Sequence, residues 1–357
     1  MVCGWRITCI SPVRLRILCC RGLGIQLYSA PSGSFSELLS PSLSSSNGRR
    51  TSVLKPSPNS TPPPELRHPT RSVISVDVEE YFHPTELASS VSADQWASLP
   101  SLVEPQTRRV LDMFDRHGVH GTFFVLGWVA QHHRGLVREI AARGHEIGCH
   151  SFSHRLVYNL TPGEFRADTE RAVRTIEDAC GVTPRAYRAP SFSITQRSLW
   201  ALEVLVECGF THDSSIFPLR HDRYGIPGFG SHARTFETPA GPIIEVPIAT
   251  AKLSERTVVP VGGGAYLRLL PYRYTAAGIR RIVETHRQPA CIYFHPWELD
   301  SEQPRLAKGW VARWRTYSGL GSVTRKLERL LGDFAFTTLT AVHIAAASHP
   351  RSQAAHA

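Results

Sequence analysis

The sequence predicts an α/β fold, a TIM-like and incomplete (β/α) barrel with parallel strands. From residue 72 onward, short apolar segments alternate with longer segments of helical periodicity, an order typical of parallel βα units. About seven or eight such units can be recognised, which favours a barrel over an open doubly wound sheet. The 42% apolar and 20% charged content of the 357 residues is that of an ordinary globular protein with one large domain.

The spacing of apolar residues and the capping residues predict the individual strands and helices. The clearest helix begins with Thr161 as N-cap, Pro162 in the first turn and Glu164 to complete a capping box, and it ends at Gly181. The predicted strands lie at residues 72–78, 120–126, 145–151, 186–189, 211–215, 243–248, 290–295 and 335–339. The predicted helices lie at residues 104–117, 135–144, 161–181, 195–209, 275–287 and 323–331.

The two ends of the chain differ from this domain. Residues 1–70 are rich in Ser and Pro and hold eight basic side chains against two acidic ones, so most of the net charge of +10 belongs there. This composition predicts a disordered basic tail, followed by one folded domain at 72–345 and a flexible C-terminus at 346–357. Because the domain itself carries no basic helix, we expect no binding of nucleic acid.

Cysteine usage bears on the compartment. Cys149, Cys180, Cys208 and Cys291 are scattered singly, without the spacing of a metal site or a disulfide scaffold, which favours a reducing compartment and a cytoplasmic location. The apolar stretch at residues 15–30 is too short and too charged to span a membrane, so no transmembrane segment is predicted. A secreted or membrane-peripheral protein remains the alternative.

Ionisable side chains lie where several predicted strands end. In a barrel these ends meet at one face, where reacting groups are found. The residues are Asp77, Glu79 and Glu80 after the first strand, then His150, His154, Arg188, Asp213 and His295.

The spacing of His150 and His154 allows both imidazoles to bind one divalent metal ion. Asp77 and Glu79 share one face of their strand, so one carboxylate can bind the metal while the other accepts a proton from water. Zinc suits such ligands best, and cobalt or nickel would also fit. Cys149 is expected to face the core, and residues 145–146 lie at the opposite end of the strand.

These residues resemble the motifs of the polysaccharide deacetylases with a NodB homology domain, carbohydrate esterase family 4. The matching stretches, in the family's order, are SVDVEE, HSFSH, Arg188-Ala189-Pro190, HDSS and IYFH. The segments DVEEYFHP, VGGGAYLRLLPY and FHPWELD are similar to motifs of the subgroup associated with exopolysaccharide and exosortase (PEP-CTERM) gene clusters.

The resemblance implies a role for each matched residue. Asp77 would be the general base oriented by Arg188, and His295 the general acid with Asp213 as its partner, while His150 and His154 would bind the metal. The family places a second aspartate where this chain has Val78. Glu79 is therefore the expected third ligand, with Glu80 or water as alternatives.

The predicted function is a metal-dependent hydrolase that removes N-acetyl groups from N-acetylhexosamine units of a polysaccharide, an oligosaccharide or a lipid-linked precursor. Tyr81, Ser191 and Trp297 are candidate substrate contacts, although aromatic rings near strand ends also serve ordinary packing. The glycines at 262–264 predict a turn or the border of a groove. Two alternatives are a hydrolase of a small cyclic amide or imide and a non-catalytic sugar-binding barrel.

Overall fold

The structure, a computed structural model, describes residues 70–254 and 257–342. The strands are β1 Ser72–Val78, β2 Thr122–Val125, β3 Glu146–Cys149, β4 Ala186–Tyr187, β5 His212–Asp213, β6 Arg234–Thr238, β7 Gly241–Glu245, β8 Thr250–Ser254, β9 Thr257–Pro260, β10 Cys291–Phe294 and β11 Phe336–Thr337. The helices are α1 Val103–His117, α2 Gly127–His132, α3 Arg134–Ala142, α4 Pro162–Cys180, α5 Trp200–Glu207, α6 Gly264–Leu269, α7 Tyr272–Arg280, α8 Trp310–Tyr317 and α9 Val323–Asp333. The predicted N-terminal tail and flexible C-terminus lie outside the described residues.

Within these residues one sheet holds nine strands, in the order β10-β1-β2-β3-β4-β5-β7-β6, with β11 also paired to β1. Every pair is parallel except the hairpin of β6 and β7. This mostly parallel sheet curls into a half-barrel with helices packed against it, which confirms the predicted TIM-like fold. A second, antiparallel hairpin of β8 and β9 was not predicted.

Several element bounds differ from the sequence prediction for physical reasons. β4 and β5 have only two residues each, because the chain leaves the sheet there to form loops at its carboxyl end. β6 is largely exposed and carries no apolar period that could have revealed it. The helix predicted at 275–287 begins earlier, as α7 at Tyr272, and continues into a π-helical turn at Arg281–Thr285, while α6 is a separate helix that was not predicted.

The strongest helix prediction is confirmed at its cap. Thr161 accepts a hydrogen bond from the backbone N–H of Glu164 at 3.2 Å, and the helix ends at Gly181 in the left-handed conformation. Among the described residues, the helices are too short or too polar to cross a membrane.

The layer between sheet and helices is apolar and tightly packed. β1 and β2 are buried along their whole length. Gly148 on β3 shows how close the packing is, since a Cβ built there would lie 2.5 Å from the ring of Phe124. Cys149 is also buried in this core, as expected. The sheet therefore holds its carboxyl ends as a rigid platform for the loops that follow.

Candidate active site

Arg188 is the central buried charge of the site. Its side chain is fully buried, and its Nη1 donates to Asp77 Oδ1 and to Ser75 Oγ, both at 2.8 Å. Its Nε and Nη2 donate to the carbonyl and the hydroxyl of Ser214 at 3.1 and 3.0 Å, and its guanidinium lies 4.2 Å from the ring centroid of Phe124. Burial opposes the charge, but the Asp77 carboxylate raises the pKa of Arg188 above its ordinary value. Asp77 is thus held in one orientation by a permanent cation.

Three potential metal ligands converge beside Asp77. One donor atom each from Glu79, His150 and His154 lies within 4.8 Å of the others. His150 donates from Nδ1 to the carbonyl of Arg188 at 2.8 Å, which leaves Nε2 as the free donor. Burial lowers the pKa of His150 to about 4, so its imidazole is neutral, as metal binding requires.

The fit of these residues to a cation also shows in Glu79. Its buried Oε2 lies 2.9 Å from His154 Nε2 but without hydrogen-bond geometry. Burial favours the neutral acid, yet the nearby imidazoles of His154, His295 and His150 lower the pKa of Glu79 below its usual range. The group therefore offers one buried carboxylate and two imidazoles, the donor set of a catalytic zinc site.

Glu80 faces elsewhere. Its carboxylate accepts hydrogen bonds from the hydroxyl of Ser101 and from the backbone N–H of Leu102 at 3.0 Å, at the start of α1. Burial raises the pKa of Glu80. Of the two glutamates, only Glu79 lies within reach of both histidines.

A turn returns the chain from His150 to His154. Ser151 and His154 have φ angles of 63° and 52°, and Ser151 Oγ accepts from the backbone N–H of His154 at 3.1 Å. Ser191 and Phe192 repeat this left-handed conformation in the loop after Arg188. Left-handed backbone costs of order 1 kcal/mol or more for residues other than glycine and is concentrated at functional loops.

His295 lies beside Asp77 and Glu79. Its Nε2 is 3.6 Å from Glu79 Oε1 and 3.9 Å from Asp77 Oδ2. Its Nδ1 is 3.1 Å from Glu298 Oε2, and the same carboxylate accepts the backbone N–H of His295 at 2.9 Å. Arg268 holds Glu298 in turn through a 2.6 Å hydrogen bond from Nε to Oε1.

Burial opposes the charge of His295, but Glu298, Glu79 and Asp77 raise its pKa to about 9. His295 is therefore doubly protonated near neutral pH. Nδ1–H points to Glu298 and Nε2–H points into the site.

The predicted pairing of His295 with Asp213 is wrong. Asp213 accepts hydrogen bonds from the hydroxyl and the N–H of Ser215, at 2.5 and 3.3 Å. It lies opposite Glu245 in the register of β5 and β7, and burial together with this neighbour raises the pKa of Glu245 well above its ordinary value. Sequence reasoning missed Glu298, whose only signal was its i,i+3 spacing from His295 in a capping box.

Of the two interpretations that the sequence left open for Tyr81 and Trp297, the structure favours ordinary packing, because these residues are only 1% and 3% exposed. Trp297 instead stacks on His295, with ring centroids 5.0 Å apart, and its Nε1 donates to Glu79 Oε1 at 3.1 Å. Ser191 is partly exposed, and its Oγ lies 2.7 Å from Thr85 Oγ1. The sequence did not identify His83 as a site residue. Its ring stacks on that of His154, with the two ring centroids 6.3 Å apart.

The remaining predictions concern residues around the site. His145 and Glu146 lie at the far end of β3, where Glu146 bonds to Thr122 and to the backbone at residues 339–340, as expected. Of the glycines at 262–264, the first two form the turn before α6 and the third begins that helix. A Cβ on Gly263, whose φ is 115°, would lie 2.2 Å from the ring of Tyr293, so this close approach requires glycine.

Family models match two adjacent parts of the chain. Residues 96–211 match the polysaccharide deacetylase family, and residues 214–343 match a domain of unknown function, DUF3473. Residues 96–211 are therefore similar to the polysaccharide deacetylases, a class of hydrolase. His295, Glu298 and Trp297 lie in the part that matches the domain of unknown function.

Individual relatives agree with this class. The chain is 33% identical over 98 residues to a peptidoglycan-N-acetylglucosamine deacetylase from Bacillus cereus, covering 27% of this chain and 36% of that protein. It is 34% identical over 100 residues to a chitooligosaccharide deacetylase from Bradyrhizobium sp., covering 28% and 43%. The chain thus spans less than half the length of these relatives.

Two solved structures share the fold. A protein of Mycobacterium smegmatis assigned as a polysaccharide deacetylase aligns with a TM-score of 0.52 at 17% identity, over 81% of this chain and 96% of that one. An allantoinase, PuuE, aligns with a TM-score of 0.54 at 14% identity, over 79% and 92%. At these identities the likeness concerns the fold alone.

Proposed function

We propose that this protein is a metal-dependent hydrolase that removes the N-acetyl group from N-acetylhexosamine units of a polysaccharide or its lipid-linked precursor. One observation carries the proposal: the carboxylate of Asp77, fixed by Arg188, and the imidazole of His295 lie together beside a buried group of metal donors. The names of the two bacterial relatives support an N-acetylated glycan as substrate.

Glu79, His150 and His154 would hold the cation, for which zinc is the best match and cobalt or nickel are alternatives. A divalent cation bound there supplies Lewis acidity toward the acetyl carbonyl and a water molecule of lowered pKa. Trp297 keeps Glu79 oriented through its indole N–H.

Asp77 and His295 divide the proton transfers. Asp77 Oδ2, which Arg188 leaves free, accepts a proton from the water whose oxygen attacks the acetyl carbonyl. His295 Nε2–H donates a proton to the amide nitrogen as the carbon–nitrogen bond breaks, which gives acetate and a free amine. Glu298 keeps Nδ1 of His295 protonated, so the mobile proton is the one on Nε2.

Acetate release from chitooligosaccharides by the zinc-loaded protein tests this mechanism. We expect Asp77→Asn and His150→Ala to lose activity by about a hundredfold or more, because each removes a group that acts in the transition state. Asp94→Asn, an identical change at an exposed position, serves as the matched control. Full activity in both site variants would refute the mechanism, and hydrolysis of a small cyclic amide without acetate release would favour the alternative substrate.

We further propose a role in exopolysaccharide biosynthesis and a cytoplasmic location. The sequence motifs that are similar to the exopolysaccharide-associated subgroup support the role in biosynthesis. The second is supported by the cysteines of the described residues, Cys149, Cys180, Cys208 and Cys291, which are free thiols. Fractionation of cells that express the full chain tests the location, and recovery outside the cytoplasm would contradict it.

A further inference from the structure

An open cavity of about 370 Å³ lies beside the start of α8. The residues that give it its chemistry are Glu86, Arg223, Lys308, Trp310 and Arg315. All of these except Glu86 belong to the segment that matches the domain of unknown function. Its volume lies within the usual range for small-ligand sites.

Trp310 gives the cavity an aromatic wall. Its side chain is 74% exposed, and among the described residues the other exposed large apolar side chains are Val182, Val258 and Trp314. An indole exposed to this degree loses the free energy that burial would provide. A flat indole face is suited to the apolar face of a sugar ring.

The cavity is positively charged. Arg223, Lys308 and Arg315 are cations, and the one carboxylate of the lining, Glu86, forms an ion pair with Arg223. Lys308 is exposed and forms no salt bridge within the described part of the chain. This excess of positive charge would not stabilise a bound neutral sugar, whereas it would attract an anionic group on a glycan.

Two connections join the cavity to the active site. Thr85, next to Glu86 in the chain, makes a 2.7 Å hydroxyl contact with Ser191 in the loop after Arg188. On the other side, the carbonyl of Arg315 accepts a 2.8 Å hydrogen bond from Arg268, which also holds Glu298. The lining of the cavity is thus in direct contact with residues that position the groups of the active site.

We propose, building on the proposed function, that this cavity is a subsite for an anionic group adjacent to the N-acetylhexosamine. Trp310 stacks on the sugar, and Lys308 binds the anion. Two substrates carry this chemistry: a glycan with a uronic acid unit, and a precursor with a pyrophosphate link to lipid. The segment of unknown function would then determine which glycan the enzyme accepts.

Calorimetric binding to the full-length, zinc-loaded protein tests the subsite independently of turnover. The probes are chitotetraose, which is neutral, a hyaluronan tetrasaccharide, which alternates N-acetylglucosamine with glucuronate, and UDP-N-acetylglucosamine, which carries a pyrophosphate. We expect one charged probe to bind at least about tenfold more tightly than chitotetraose, and added salt to weaken it. The better charged probe identifies the source of the anion.

Variants locate the binding. Trp310→Ala and Lys308→Gln should each weaken the charged probe about five- to tenfold. Trp314→Ala, on the same helix but outside the lining, should bind like the unsubstituted protein. Equal binding of neutral and charged probes, or equal effects of Trp310→Ala and Trp314→Ala, would overturn the subsite. Trp310-dependent sedimentation with phosphatidylglycerol vesicles, without oligosaccharide binding, would overturn it in favour of a membrane surface.

Acetate release is measured in parallel. Charge-selective binding without acetate release would support the subsite and contradict the proposed activity. Acetate release at the same rate from neutral and charged substrates, unchanged in Trp310→Ala, would leave the activity standing and remove the subsite.

Discussion

Replacing Glu298 by glutamine removes the carboxylate that lies 3.1 Å from Nδ1 of His295. The pKa of His295 is about 9 instead of its ordinary 6.5, and Glu298 is the largest of the influences that raise it. This difference means that the site favours the protonated imidazole over the neutral one by a free energy of about 3 kcal/mol, at about 1.4 kcal/mol per pKa unit. Because Glu79 and Asp77 also contribute, we expect Glu298→Gln to lower the pKa of His295 by about one unit.

The assay is the pH dependence of acetate release. The acid form of His295 is needed, so activity of the unsubstituted enzyme should fall on the alkaline side, as pH rises through the raised pKa of His295. In Glu298→Gln this alkaline limb should move about one pH unit lower. The raised pKa of His295 also affects the stability of the folded protein. Protonated His295 stabilises the folded state fully below pH 6.5, and this contribution is lost as pH rises through about 9.

Two controls separate loss of the acid from loss of the fold. Hydrolysis of p-nitrophenyl acetate needs no proton donor for its leaving group. Glu298→Gln should therefore lower the rate of this ester hydrolysis less than the rate of amide hydrolysis. Asp213→Asn changes the residue that the sequence suggested as partner and should leave the alkaline limb in place, because Asp213 bonds to Ser215. The reasoning is refuted if Asp213→Asn moves the limb and Glu298→Gln does not.

Three further predictions concern the metal site and the core. Arg188→Met should reduce the free energy of unfolding by about 3–5 kcal/mol in urea titrations, because it leaves the buried Asp77 carboxylate unpaired; a smaller loss would show that water reaches Asp77. Glu79→Gln should abolish stoichiometric zinc measured by mass spectrometry, whereas Glu80→Gln should retain it; unchanged metal content in Glu79→Gln would contradict the ligand assignment. Gly148→Ala should lower the unfolding free energy by about 1–3 kcal/mol, because the added Cβ would lie 2.5 Å from the Phe124 ring; an unchanged urea midpoint would mean that the ring can move.

The fold was predictable because apolar segments and capping residues act locally. Thr161 and Gly181 mark a helix by chemistry that needs no tertiary context. Strand polarity then predicted that Asp77, His150 and His295 would meet, since parallel strands share one carboxyl edge. β6 could not be found this way, because an exposed edge strand has no apolar period.

The partner of His295 depended on side-chain directions that the sequence does not specify. Asp213 ends a strand of only two residues, and its carboxyl turns toward the neighbouring β7. Glu298 reaches His295 only because the intervening residues form a 3-10 turn. Similarly, no spacing distinguishes an aromatic ring that lines a groove from one that packs, so the burial of Tyr81 and Trp297 required the structure.

The pairing of β10 with β1 has a practical consequence for work with parts of this chain. The segment that matches the deacetylase family ends at residue 211, yet β10 pairs with β1 over Val73–Val76. A fragment that stops at 211 would keep the donors of His150 and His154, lose the proton donor, and leave one edge of β1 unpaired. Because an open apolar strand edge recruits other chains, we expect that fragment to aggregate rather than to fold as a smaller enzyme.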